Sequence, residues 1–363
     1  YQSSSSSCSR NGFELTDKGF NNNQILSQAN YCIFCHRQEK DSCRKGMILN
    51  NGDSVDFKQS PLDQILSGCP LDQKISEMNF LKSQGYSIAS LVVIAIDNPM
   101  IAVTGHRICN DCSKSCIFQK QEPVDIPQIE TAILKDVLNL PFGFEIYSLL
   151  TRWNPLANLL PSHNSGYKIL IAGLGPAGFS LANYLLNQGH LVVAIDGLKI
   201  EPLDPEISGI DISGKKRKFQ AIKNISQIYE SLATRNIYGF GGVAEYGITV
   251  RWDKNFLKII YIILARRENF LLKSGIRLGS SITENTIFND YKFNHLAMCL
   301  GAGKPKTLKF SNYFSQNNHY EIDESNTSAY PQGVYLASDF LMGLQLGGAY
   351  KKDIFSNLQL RMP

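Results

Sequence analysis

The sequence predicts an α/β chain in two parts, a helical cysteine-rich domain followed by a Rossmann-like domain. Three observations lead there. Seven of the nine cysteines fall between positions 32 and 116. A glycine-rich turn at 173–178 sits between two short apolar runs and opens a helical one. Between these features, Asn154-Pro155 and residues 161–166 form a linker-like break, after which the composition shifts.

The elements follow in order. Residues 1–30 are polar, with a serine run at 3–7, and are expected to form a disordered tail. Residues 31–165 make up the cysteine-rich domain. In it, 72–83 and 127–153 have helical periodicity, with Ile129, Ile133, Val137 and Leu140 on one face. Residues 166–363 make up the second domain: a strand at 167–172, a helix at 176–188 and a strand at 191–195. An irregular stretch follows over 197–236, whose basic run 215–218 reads as a solvated loop. One long amphipathic helix is expected over 253–273, and late strands at 295–300 and 333–336.

Composition narrows the function. An apolar content of 43% against 19% charged residues reads as globular. The net charge of +4 is spread along the chain, and no aromatic residues interleave the basic run, so no nucleic-acid partner is expected. No stretch reaches the roughly 18 uninterrupted apolar residues of a membrane span; the runs at 91–96 and 259–264 are core-sized. The start has no signal-peptide pattern, so a cytoplasmic protein is expected, and its cysteines read as thiolate ligands or core residues before disulfides. Cys8 reads as an incidental tail thiol and Cys299 as a core residue.

Strand, Gly173-x-Gly175-x-x-Gly178, helix, strand and Asp196 together form the dinucleotide fingerprint in its required context. Gly173 makes the turn out of the strand. Gly175 lets the backbone approach a pyrophosphate, with Pro176 and Ala177 opening the helix, and Gly178 lets that helix pack on the sheet. The helix N-terminus offers free N–H groups to phosphate, and Asp196 can take ribose hydroxyls. The pattern alone does not separate FAD from NAD(P).

The cysteines run Cys32-x2-Cys35-x7-Cys43, then Gly68-Cys69-Pro70, then Cys109-x2-Cys112-x3-Cys116. Cys-x2-Cys pairs aim two thiolates at one centre. The spacing leaves zinc, iron–sulfur clusters and unliganded thiols open. The separation of Cys35 from Cys109 is too long for a simple zinc ribbon. His36 and His106 lie beside cysteines and read as structural rather than as ligands.

The order of these motifs resembles the glutamate synthase small-subunit family, which shares its layout with the N-terminal half of dihydropyrimidine dehydrogenase. Segments 31–35, 68–75, 98–116, 123–130, 241–248 and 300–305 carry the resemblance. It implies a helical iron–sulfur domain, an FAD domain and a following NAD(P)H domain. Carried over by position, Cys32, Cys35, Cys43 and Cys116 would hold one 4Fe–4S cluster. Cys69, Cys109, Cys112 and Glu130 would hold the other. Glu130 also has a plainer reading as a carboxylate at a helix start. The resemblance further places Gly242, Arg251, Gly301 and Gly303 against FAD, and the backbone at Ile108 between flavin and cluster.

The implied function is that of an FAD- and 4Fe–4S-dependent NAD(P)H oxidoreductase. Its flavin receives electrons and its clusters pass them to an accepting subunit or domain. The alternative is a non-catalytic fragment of a split gene that binds FAD or zinc without turnover. The sequence departs from the family in places. Residues 44–68 and 197–238 look inserted, the Cys109–Cys112 gap is short, and Thr249 stands where proline is common. Only one full Gly-x-Gly-x-x-Gly is present, so the Rossmann-like domain is expected to be incomplete. NAD(P)H would then bind only through a missing downstream segment, as a partner to this chain.

Overall fold

Helix begins earlier than composition suggests. In the computed structural model, residues 22–30 are not tail but helix α1 (Asn22–Tyr31), which corrects that expectation. A reciprocal cap makes it: the Asn21 side chain accepts from the Gln24 N–H at 3.0 Å, and the Gln24 side chain accepts from the Asn21 N–H at 2.9 Å. Ile25 and Ala29, one turn apart, are buried against the core. The structure describes residue 15 and residues 17–51, 54–106, 109–152, 164–211, 213–246, 253–302 and 337. Cys8, Ile108, Arg251, Gly303 and the strand expected at 333–336 lie outside these.

The helical part continues with α2 (Ser42–Lys45), an antiparallel hairpin of β1 (Ile48–Asn51) and β2 (Ser54–Phe57), then α3 (Ile75–Ser83), α4 (Ser87–Asp97), α5 (Ile101–Thr104), α6 (Asp111–Lys114), α7 (Ile126–Leu138) and α8 (Gly143–Leu150). The hairpin occupies the stretch read as an insertion. The helical run expected over 127–153 is broken because Pro141 cannot continue a helix and Phe142 takes a left-handed backbone, φ +57°. Leu91, Ile94, Ile129, Ile133, Val137 and Phe144 are at most 1% exposed and form the centre of this part. Each such side chain contributes roughly 1.5–3 kcal/mol by burial.

The second part holds β3 (Lys168–Ala172), α9 (Pro176–Asn187), β4 (Leu191–Asp196), α10 (Pro205–Ser208), α11 (Val243–Tyr246), α12 (Asn255–Ala265), β5 (Phe270–Ser274) and β6 (His295–Met298). The sheet is parallel throughout, in the order β5-β4-β3-β6, consistent with a Rossmann-like fold. The chain leaves β3 toward β4 and β5 and later returns to β3's other side as β6. That reversal puts a crevice at the C-terminal ends of β3 and β6, where such sheets bind ligands.

The single helix expected over 253–273 is instead α12 and β5. Helix α12 is apolar on nearly all sides and buried between the sheet and α5, not amphipathic. Beyond Ala265 the chain turns, and Phe270 opens a strand paired with β4. Lys216, from the loop read as solvated, donates to the carbonyls of Ala265 at 2.6 Å and Arg267 at 2.9 Å and so caps the end of α12. The two parts share one continuous core. Asn183 Nδ2 donates to the Thr151 carbonyl at 3.0 Å, and the Tyr184 hydroxyl donates to the Asp97 carbonyl at 3.3 Å. Among the described residues, no helix is long and apolar enough to cross a membrane.

Candidate functional site

The glycines of the turn are of two kinds. Gly173 has φ +99°, and a Cβ there would lie 2.3 Å from the Cys299 carbonyl oxygen. At Gly178 a Cβ would lie 1.9 Å from the carbonyl oxygen of Gly173. The fold itself demands both. Gly175 has ordinary backbone angles, and a Cβ there would meet only Gly241 O and Gly242 Cα, each at 4.0 Å. The protein has room for a side chain at Gly175, so its absence points to something that must approach the backbone there. Gly175 is also the N-cap of α9, and no side chain caps the helix.

Asp196 closes β4 and holds the turn. Its Oδ2 accepts from the Leu174 N–H at 3.0 Å and its Oδ1 from the Leu198 N–H at 2.9 Å. Gly301 follows β6 next to Cys299, which is itself only partly buried. Gly242 faces Gly175 and leads into α11, whose Glu245 is 1% exposed and pairs with Arg235 and, at 3.5 Å, with Lys254. Burial pulls Lys254 down to about 8. The structure therefore gathers Gly173, Gly175, Pro176, Ala177, Gly178, Asp196, Gly242 and Gly301 at the C-terminal edge of the sheet.

The cysteines sort themselves into two cavities. One, of about 20 Å³, is lined by Cys32, Cys35, Cys43 and Cys116. Cys32 ends α1. Cys35 opens a short turn, Cys35–Gln38, entered through Phe34 in a left-handed backbone. Cys43 lies in α2, and Cys116 follows α6. The other, of about 170 Å³, is lined by Cys69, Cys109, Cys112 and Glu130. Cys69 sits in the Gly68-Cys-Pro turn, Cys109 and Cys112 flank the start of α6, and Glu130 is on α7. Ile126 lines both cavities. The Cys69 N–H donates to the Cys43 carbonyl at 2.9 Å, so one hydrogen bond joins the two ligand sets. Helix α5 leads into the larger cavity and packs on α12, whose Leu257 abuts Gly241. The wall of that cavity is thus linked through α5 and α12 to the glycine crevice.

The electrostatics respect the same division. Burial pushes the Cys43 thiol up, with Asp41, Cys32 and Cys116 adding to it. Burial likewise raises Cys112, and Glu130, Cys109 and Cys69 raise it further. Cys32, Cys35, Cys69 and Cys109 are raised for the same first reason. Thiols crowded this way resist becoming thiolates unless a cation shares the cavity. Burial also pushes Glu130 up to about 7, opposed by the Gln73 amide, whose Nε2 donates to Glu130 Oε1 at 2.9 Å. Helix α7 is capped by Asp125, and Glu130 lies a turn further in, so the helix-start reading does not explain it. Among the described residues, no three His, Cys, Asp or Glu side chains converge as one bound ion needs. The sets surround volumes instead.

The histidines are structural: His36 Nδ1 pairs with Ser76 Oγ at 2.7 Å, and His106 Nδ1 with Thr131 Oγ1 at 3.1 Å. Sequence reasoning missed Gln73 and Asn79. Asn79 had a signal, as a polar residue on the α3 face set by Ile75, Met78 and Lys82.

No family model matches the chain. It is 50% identical over 267 residues to an uncharacterized protein of Rickettsia prowazekii (strain Madrid E), covering 73% of this chain and 34% of that protein. It is 26% identical over 266 residues to the glutamate synthase [NADPH] small chain of Bacillus subtilis (strain 168), covering 71% and 41%. It is 27% identical over 131 residues to the glutamate synthase [NADPH] small chain of Mycobacterium tuberculosis (strain ATCC 25618 / H37Rv), covering 36% and 24%. The chain thus spans well under half the length of each of these relatives. Over 71% of its own length it is a distant homologue of a glutamate synthase small chain.

Proposed function

We propose that this chain is the electron-input part of an FAD- and 4Fe–4S-dependent NAD(P)H oxidoreductase of the glutamate synthase small-subunit kind, with a partner subunit or domain as electron acceptor. The distant homology supports an oxidoreductase of this general kind. The observation that carries the finer reading is the sorting of eight ligand residues, spread from Cys32 to Glu130, into two sets of four around separate cavities. The donor chemistry fits: cavities lined by several cysteines suit iron–sulfur clusters. Gly175 and the uncapped start of α9 fit a pyrophosphate.

Bound in these sites, FAD supplies two-electron acceptance with one-electron release, and the clusters supply one-electron carriage. The chain's own groups bind and orient. The α9 N–H groups and the bare Gly175 backbone receive phosphate, and Asp196 keeps the turn closed on β4. Gly241-Gly242 leaves the opposite wall free of side chains. The packing of α5 on α12 links the wall of the larger cavity to this crevice. The NAD(P)H site belongs, in this reading, to a segment beyond these residues.

Anaerobic purification followed by an absorption spectrum and an iron assay tests the proposal. Flavin bands with about eight irons per chain are expected, two clusters of four. Zinc, or no metal, would sink the cluster assignment and favour the split-gene fragment. For the crevice, Gly175→Val should give a folded but colourless protein, whereas Gly178→Val should not fold. A normal flavin content in folded Gly175→Val would show that the pyrophosphate lies elsewhere.

A further inference from the structure

Asn79 is the most unusual polar group in the helical part. It is 1% exposed, on the face of α3 that carries Ile75 and Met78 into the core, and it lines the cavity of Cys32, Cys35, Cys43 and Cys116. Its Nδ2 and Oδ1 meet no nitrogen or oxygen partner in the protein, and the one group its side chain bears on is the Cys32 thiol of that cavity. Its neighbour on the same wall, Ser76, is satisfied by His36 and so is used within the fold. Leucine has the same branched shape as Asn79 and no polar atoms to leave unpaired. An amide kept there, against that penalty, has its partner in whatever the cavity takes up.

The chemistry narrows the partner. A cluster held by four thiolates presents sulfur acceptors and no donors, so the N–H side of the amide is the one that matches it. We propose that Asn79 donates an N–H···S hydrogen bond to the cluster ligated by Cys32, Cys35, Cys43 and Cys116 and so sets that cluster's potential. The inference rests on the cluster reading given above. A donor to sulfur stabilises the more negative, reduced state, so losing it should lower the potential of this cluster alone. Asn79 is a positioning and tuning residue here, not a ligand.

The test is an EPR-monitored redox titration of the anaerobically purified 363-residue chain as wild type, Asn79→Leu and Asn79→Asp. The signal that disappears in Cys116→Ser identifies the cluster concerned. In Asn79→Leu, iron content should hold while the reduction equilibrium of that signal shifts toward the oxidised form by roughly three- to tenfold. Tenfold corresponds to ~59 mV for one electron. Asn79→Asp keeps the volume, removes the donor and adds charge, so it should shift the signal further. It also carries the test where the leucine variant loses iron. The second signal should stay in place throughout. If the first signal's midpoint is unchanged in both variants, or both signals move together, Asn79 is not the donor; an ordered water bound by the amide would give the first result. A wild-type chain without any iron–sulfur signal would overturn the underlying reading itself, which a null result in the variants alone would not.

Discussion

The two cysteine cavities share a wall residue, Ile126, yet differ in nearly everything else. The larger, of about 170 Å³, pairs three thiols with a buried carboxyl and is edged by Gln73, Asn98 and Thr104. The smaller, of about 20 Å³, has four thiols and a mainly apolar rim of Ile33, Ile117, Phe118 and Val124. Potentials of iron–sulfur sites follow net charge, hydrogen bonds to sulfur and exposure. One fold has therefore built two environments of different polarity a single backbone hydrogen bond apart. The difference teaches that donor count alone does not define such a site: the carboxyl of Glu130 comes with room and a hydrogen-bonded amide, the four thiols with a tighter space whose polar neighbours are Ser42, Ser76 and Asn79.

The comparison can be broken most completely at the residue that joins the cavities. Gly68 has φ +78°, and a Cβ there would lie 2.4 Å from Gly46 N and 2.6 Å from the Arg44 carbonyl oxygen. Its N–H donates to Ser115 Oγ at 3.0 Å, beside Cys116. Gly68→Ala should strain the backbone and push α2 off the Cys69 turn, costing ~3 kcal/mol or more. Because Cys43 and Cys69 both hang on this contact, iron should be lost from both cavities together. Retention of either cluster with unaltered thermal stability would show the two sites to be assembled independently.

Single cysteine replacements should sharpen the distinction. Cys112→Ser and Cys116→Ser each remove a buried thiol, one from each cavity. Each should halve the iron, from about eight to about four per chain, and remove a different EPR signal from the reduced protein. The same signal lost in both variants would mean that the two sets are not separate.

How much of this was legible in the sequence depended on distance along the chain. The glycine turn is local. Strand, turn, helix and acid are adjacent in sequence, and β3, α9 and β4 were readable to within a residue or two. The cavities are assembled from residues 32 to 130, and no spacing rule pairs Cys116 with Cys32 instead of with Cys112 four positions away. That pairing rests on a family resemblance; the same two groups of residues line the two cavities. Two features escaped for physical reasons. Helix α1 is made by a two-residue reciprocal cap in a polar stretch without strong periodicity. The split of 253–273 into α12 and β5 is decided by pairing with β4, since Phe270-Leu-Leu suits a buried helix or strand equally.

The finest difference between the cavities is a proton. In the metal-free chain, burial holds the Glu130 carboxyl up to about 7, against 4.5 for an ordinary glutamate. A carboxyl raised on folding binds a proton that the unfolded chain has already released between those values. Its contribution to stability is thus fully present below about pH 4.5 and is lost as pH rises through about 7, in total about 3 kcal/mol at ~1.4 per pH unit. Glu130→Gln keeps a neutral side chain of the same size at all pH values and should abolish this loss in metal-free protein. With a cluster bound the sign reverses, because a ligating carboxylate must be deprotonated. Acid should loosen both clusters through their thiols, and the larger cavity's cluster should show one further loosening step as pH falls through about 7, a step that Glu130→Gln lacks. Glu130→Ala should leave the larger cavity's cluster labile at every pH and spare the other. Denaturant melts of metal-free chain across this interval, paired with iron retention of the loaded chain, give both signs in one series. If wild type and Glu130→Gln keep iron equally on acidification, Glu130 is not a ligand.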